Sequence, residues 1–109
     1  MAVHRSEADL PTDPAGRHTG NIIEASLGAT KGFCLGVGYY DLDEFGPPGV
    51  HDDQEAIYVL EGTGTASVGG QQFAVGPGTA FFVGTKVPHT IKRDRAGGPV
   101  KVLWTHGAI

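Results

Sequence analysis

An all-β domain of eight short strands, a double-sheet jelly roll or a closed barrel, is the fold this sequence predicts. Three observations predict it. Short runs rich in Val, Ile, Phe and Tyr are separated by 18 glycines and seven prolines spread along the chain, the punctuation of strands joined by tight turns. No segment keeps a convincing helical apolar period over about ten residues. Gly69-Gly70 lies between Ala66-Ser-Val68 and Gln71-Gln-Phe73, a strong two-residue hairpin signal.

Residues 1–19 are polar and hold Pro11 and Pro14. They read as an N-terminal arm, packed across the barrel or a partner subunit, or as a loose terminus. Residues 20–109 form the single barrel domain. Strands are expected at Asn21–Leu27, Gly32–Leu42, Glu55–Leu60, Gly64–Val68, Gln71–Val75, Thr79–Val83, Pro88–Lys92 and Val100–Thr105. Gly28, Gly46-Pro47-Pro48-Gly49, Gly62, Gly76-Pro77-Gly78, Gly84 and Gly97-Gly98-Pro99 supply the other turns. Alternation assigns faces. Phe33, Leu35, Val37 and Tyr39 share one side of their strand, and Cys34, Gly36, Gly38 and Tyr40 the other. In the last strand Lys101 points outward, so Val102, Trp104 and His106 point inward.

At 109 residues the chain fits one domain with one modest core. Its net charge is −4, and its densest basic stretch is Lys92-Arg93-Asp94-Arg95. Nucleic acid is therefore a poor partner, since phosphate binding needs a positive face. The single Cys34 has no internal disulfide partner and reads as a small buried hydrophobe. The first residues lack a signal-peptide apolar core, and no apolar stretch is long enough to cross a bilayer. A cytoplasmic protein with no membrane contact is the expectation.

The chemistry concentrates at His51-Asp52-Asp53-Gln54-Glu55 and at His89, behind Pro88. On a straight strand His51 and Glu55 would stand roughly 13 Å apart, at ~3.3 Å per residue. Donors to one ion each lie ~2.0–2.2 Å from it, so a turn at residues 52–54 is required if both are ligands. Aspartate favours one. With His89 entering from another strand, two imidazoles and one carboxylate would leave coordination positions open, as a catalytic or ligand-binding metal needs.

These residues resemble the cupin superfamily. Its first motif, Gly-x5-His-x-His-x3,4-Glu-x6-Gly, is matched in its second half by His51, Glu55 and Gly62. Its second, Gly-x5-Pro-x-Gly-x2-His-x3-Asn, is matched in spacing by Gly78 and His89. The chain departs from the pattern at Asp43, at Gly49 (the first motif histidine), and at Gly84, Lys86 and Arg93. The resemblance implies a double-stranded β-helix barrel. It also implies a metal site in which three of the four usual ligands, His51, Glu55 and His89, hold a divalent transition metal such as iron, manganese, nickel or zinc. The lost histidine could open a coordination position, lower affinity or leave the site empty.

Two residues could fill the vacancy. Asp53 reads more naturally as a turn residue facing solvent, and His106 as a fraying residue near the C-terminus. Gln54 reads as solvent-facing. Tyr39 or Tyr40, Phe81 or Phe82, Ile57, Val59 and Trp104 are the expected pocket walls. Two functions fit. One is a metal-dependent enzyme acting on a small oxygenated metabolite, of isomerase, decarboxylase or dioxygenase type. The other is a non-catalytic sensor or binding module for a sugar or other metabolite. A homodimer is expected in either case, because edge strands need cover.

Overall fold

Glycine and proline turns cut the described residues, 2–107, of this computed structural model into eight strands. They are β1 Gly20–Ile23, β2 Cys34–Tyr40, β3 Gln54–Glu61, β4 Gly64–Val68, β5 Gln71–Val75, β6 Ala80–Val83, β7 His89–Arg93 and β8 Val100–Gly107. The Gly69-Gly70 hairpin forms as expected, with both glycines at positive φ (56° and 85°), and joins β4 to β5. The strands make two antiparallel sheets, of order β1-β2-β8-β3-β6 and β5-β4-β7.

The period-two pattern decides what faces inward. Along β3, Glu55, Ile57 and Val59 are buried while Gln54, Ala56, Tyr58 and Leu60 are exposed. Ile57, Val59, Val83, Val100 and Val102 of the larger sheet meet Ala66, Val75 and Ile91 of the smaller one in a single core. Each such aliphatic side chain stabilises the fold by roughly 1.5–3 kcal/mol when fully buried. Phe73 and Phe81 close it edge to face, with centroids 5.3 Å apart.

The expected closed barrel is corrected to two facing sheets. Among the described residues, one antiparallel bridge, Gly49 to His89, joins the segment between β2 and β3, residues 41–53, to β7. Pro47 and Pro48 in that segment have no N–H to give, so the pairing does not extend into a ladder. The expected strand Asn21–Leu27 is also corrected. β1 stops at Ile23, and Ala25–Leu27 form a single 3-10 turn closed by Gly28 at φ 102°.

The outward face of β2 is covered from within the chain. A short turn at Glu7–Asp9, capped by Ser6, carries Leu10 into burial, and Val37 is buried on the same strand whose inward side holds Gly36 and Gly38. Lys101 reaches Glu7 at 2.7 Å, and Arg17 lies over the Tyr39 ring. By contrast, Tyr58, Leu60 and Phe82 on the outward side of β3 and β6 stay exposed. No helix among the described residues is long and apolar enough to cross a membrane.

Candidate metal centre

The bend expected before β3 is present at Asp52-Asp53, and it turns His51 back over Glu55. Three backbone bonds hold His51 and His89 in place. The Gly49 and His89 N–H groups donate to each other's carbonyls (2.8 and 3.0 Å), and the Lys86 N–H donates to the His51 carbonyl (2.7 Å). Glu55 comes from the larger sheet and His89 from the smaller.

The three donor atoms form a compact triangle. Glu55 Oε1 lies 3.0 Å from His51 Nε2 and 2.9 Å from His89 Nε2, and the two Nε2 atoms are 3.3 Å apart. Donors ~2.0–2.2 Å from a shared ion stand at this spacing when they subtend roughly right angles. Glu55 and His89 are both 5% exposed. The structure therefore brings together all three residues singled out in the sequence, and they could hold a metal ion.

Two further residues join them. His106 is the cross-strand partner of Glu55, and its Nε2 lies 3.1 Å from Glu55 Oε2. Its Nδ1 lies 3.1 Å from Asp53 Oδ1, which is also 2.7 Å from His51 Nδ1. The sequence reading of Asp53 as a solvent-facing turn residue and of His106 as a fraying terminus is thus corrected. Alternation puts His106 on the face of Trp104, but only the β3–β8 register sets it opposite Glu55.

The cluster is short of positive charge. It holds two carboxylates and three imidazoles, and among the described residues neither carboxylate pairs with a lysine or arginine. Val87's carbonyl can only accept, so His89 Nδ1–H donates to it at 3.0 Å. Neutral His89 then aims the lone pair of Nε2 at Glu55 Oε1, an acceptor facing an acceptor. A proton on Nε2 or a cation between the two relieves the contact. Glu55 Oε1 and His51 Nδ1 are buried without an aligned hydrogen bond, although partner atoms lie within 3.0 Å. Short distances without alignment are what ligands drawn toward a common centre show, and the residues fit a divalent cation.

Ionisation follows the same geometry. Burial acts to raise the Glu55 pKa, but the imidazoles, His89 first, outweigh it and hold the carboxyl below its usual range. His89 is raised, chiefly by its contact with Glu55. Asp53 is lowered: burial opposes this, and His106 and His51 overcome it. Burial, with the Glu55 charge, pushes the Tyr40 phenol up to about 12, so Tyr40 stays neutral where it packs against the core. For the metal-free protein the signs are opposite at the two sites. Glu55's contribution is present above its ordinary value of 4.5 and lost as pH falls through its lowered folded value. His89's is present below its ordinary value of 6.5 and lost as pH rises through its raised folded value. Melting temperatures of metal-stripped protein should therefore peak between those limits. His89→Gln should flatten the alkaline decline. A wild-type melting temperature still climbing above about pH 8 contradicts the assignment.

A cleft of about 460 Å³ opens beside the cluster, walled by Trp104, His106, Asp53, Cys34, Asn21 and Glu24 among others. Trp104 lies across two glycines of β2: a Cβ at Gly36 would come within 2.5 Å of its ring, and one at Gly38 equally close. Its Nε1–H donates to Asn21 Oδ1 at 2.9 Å. Of the expected walls, Trp104 is here, whereas Ile57, Val59 and Phe81 belong to the core, Phe82 is exposed and Tyr39 lies under Arg17. Cys34, expected to be a small buried hydrophobe, is half-buried in the cleft wall, and burial raises its thiol pKa.

The missing motif histidine also has a place. A Cβ built at Gly49 would stand 3.4 Å from His89 Cε1 and Nε2, so position 49 faces the donor triangle and its glycine leaves that side open. The cupin domain family model matches residues 40–106, well over half of the chain. The chain belongs to the cupin family. This cupin has no match among curated protein sequences. Among solved structures it is similar to the polyketide cyclase RemF from Streptomyces resistomycificus, with 23% identity, 98% of this chain and 80% of that chain covered, and a TM-score of 0.77. It is similar to the Cnp3 cupin domain of Schizosaccharomyces pombe at 17% identity and a TM-score of 0.69, covering 84% of this chain but only 60% of that chain. The protein TT1209 from Thermus thermophilus matches at 18% identity over 94% of this chain and 95% of that chain, with a TM-score of 0.68. At these identities the likeness shows the fold alone.

Proposed function

We propose that this cupin holds one divalent transition-metal ion on His51 Nε2, Glu55 Oε1 and His89 Nε2, and acts through it on a small oxygenated metabolite seated in the cleft of Trp104. The observation that carries the reading is the donor triangle, 2.9–3.3 Å on a side, in which a neutral His89 would face Glu55 acceptor to acceptor. Such an ion, when bound, supplies Lewis acidity toward a carbonyl or hydroxyl oxygen.

The chain's own residues do the rest. The Val87 carbonyl orients the His89 ring, and Asp53 sits against the back of His51, the places where outer partners set ligand geometry. His106 spans Asp53 and Glu55 and lines the cleft, so it is the ionisable ring that links the cleft wall to the donor cluster. Trp104 and Phe33 give the cleft apolar surface that excludes water. RemF, a polyketide cyclase of the same fold, is one case in which this fold serves an enzyme.

A second reading, a binding or sensor module without chemistry, is favoured by one observation: none of His51, Glu55 and His89 lines the large cleft. Elemental analysis of the purified chain after supplementation with iron, manganese, nickel or zinc tests the first reading. One equivalent of metal per chain is expected, and its absence in all four cases leaves only the second.

The proposed homodimer gains a different footing from the edge-strand argument. Tyr58 and Phe82, 45% and 60% exposed, stand with Leu60 on the uncovered outer side of β3 and β6, whereas the arm lies on its own sheet. Two such faces pressed together would bury them. Light scattering should give a dimeric mass for the wild type and a monomeric one for Phe82→Asp. A monomeric wild type at high micromolar concentration ends the proposal.

A further inference from the structure

The cleft beside the donor cluster has charge of one sign on its wall. Glu24 and Asp53 line it, and among the described residues no lysine or arginine does. Lys31 adjoins Gly32 in the chain but is not part of the wall. His106 is the wall's remaining basic group, and its two ring nitrogens already lie 3.1 Å from carboxylate oxygens of Asp53 and Glu55. The helical turn at the rim, Ala25–Leu27, is only three residues long, too short to present a macrodipole. Recognition of phosphate or carboxylate relies on cationic forks or helix N-termini. An anion here would instead lose its water against the carboxylates of Glu24 and Asp53, with no lysine or arginine on the wall to receive it.

The rest of the wall is apolar and aromatic. Trp104 and Phe33 contribute rings, and Ala25 and Ala29 contribute methyl groups. Glu24 makes no side-chain cap bond to its own turn, so its carboxylate is uncommitted there. Carboxylates accept hydrogen bonds, so this side of the cleft favours ligands that donate them or carry positive charge.

We infer that the cleft binds a small aromatic molecule that is uncharged or cationic, and that it rejects phosphorylated and carboxylated metabolites. The inference rests on the proposed function in taking this cleft as the ligand's seat, and it narrows the ligand class within it.

Trp104 is the sole tryptophan, so its fluorescence reports on the cleft. Three phenols of similar size carry different charges: 4-methylphenol is neutral, tyramine cationic and 4-hydroxybenzoate anionic. Each is titrated into the full chain, metal-stripped and separately zinc-loaded, with calorimetry as a second readout. In metal-stripped protein, tyramine and 4-methylphenol should quench Trp104 saturably and bind at least roughly tenfold more tightly than 4-hydroxybenzoate. Glu24→Gln should narrow the gap between tyramine and 4-hydroxybenzoate, and Glu24→Lys should narrow it further or reverse it. Binding of 4-hydroxybenzoate as tight as that of tyramine in metal-stripped protein overturns the inference, and so does a failure of tyramine to bind at millimolar concentration. Zinc content measured on the same samples keeps the two readings apart. A chain that loads zinc but shows no charge preference loses only the ligand class. One that takes no zinc yet keeps the preference loses only the metal.

Discussion

His89→Ala should abolish metal loading and leave the chain folded. His89 supplies one of three donors, 2.9 Å from Glu55 Oε1 and 3.3 Å from His51 Nε2, and without it only an imidazole and a carboxylate remain. A loss of at least ~100-fold in zinc affinity is expected by calorimetric titration, larger than the roughly 10–100-fold expected for Asp53→Asn, which touches the back of His51 and the His106 ring but supplies none of the three donors. The fold should survive because the core of Ile57, Val59, Val83, Val100 and Val102 is assembled independently of the site. Stripping every partner from a buried charge costs about 3–5 kcal/mol, but Glu55 keeps His51 and His106 within 3.1 Å, so the cost here should be smaller. A His89→Ala protein that binds zinc as tightly as the wild type sinks the donor triangle.

Gly36→Val should destabilise the protein more than an ordinary surface change and open the cleft. Gly36 stands directly across from Trp104 in the β2–β8 register, and its added Cβ would lie 2.5 Å from the ring. The backbone at Gly36 is sheet and the obstacle is a large indole, so either the ring leaves its seat or the strands part. Overpacking of this kind costs about 1–3 kcal/mol, and each kcal/mol lowers the melting temperature by roughly 4–8 °C in a domain near this size. The lone tryptophan makes a second check possible: displaced from Asn21 and the glycine floor, Trp104 should emit at longer wavelength. An unchanged emission maximum with an unchanged melting temperature would refute the packing argument.

Most strand positions were legible because turn chemistry is local. Gly69-Gly70, Gly76-Pro77-Gly78 and Gly97-Gly98-Pro99 mark chain reversals whatever lies elsewhere, and the strands between them formed within a residue or two of expectation. The end of β1 was not, because Ala25-Ser-Leu27 alternates like a strand and only Gly28's left-handed backbone shows the turn. His51, Glu55 and His89 were legible through spacing. His106 needed the pairing of β3 with β8, a contact between segments about fifty residues apart that no local pattern encodes. Lys86 shows the converse. It stands where the family pattern has glycine, and it takes the left-handed conformation the glycine would have provided (φ 60°), at a cost of order 1–2 kcal/mol. Barrel closure failed as an expectation because strand count says nothing about whether two edges meet.

Glu55 and His89 belong to opposite layers of the sandwich, and the neighbouring pairing of Gly49 with His89 is a single two-bond stitch. A cation at their midpoint would therefore be a rivet through both layers as well as a reagent. Loading and delamination of that end become linked equilibria, and amide exchange along the first residues of β7 should slow as the rivet goes in.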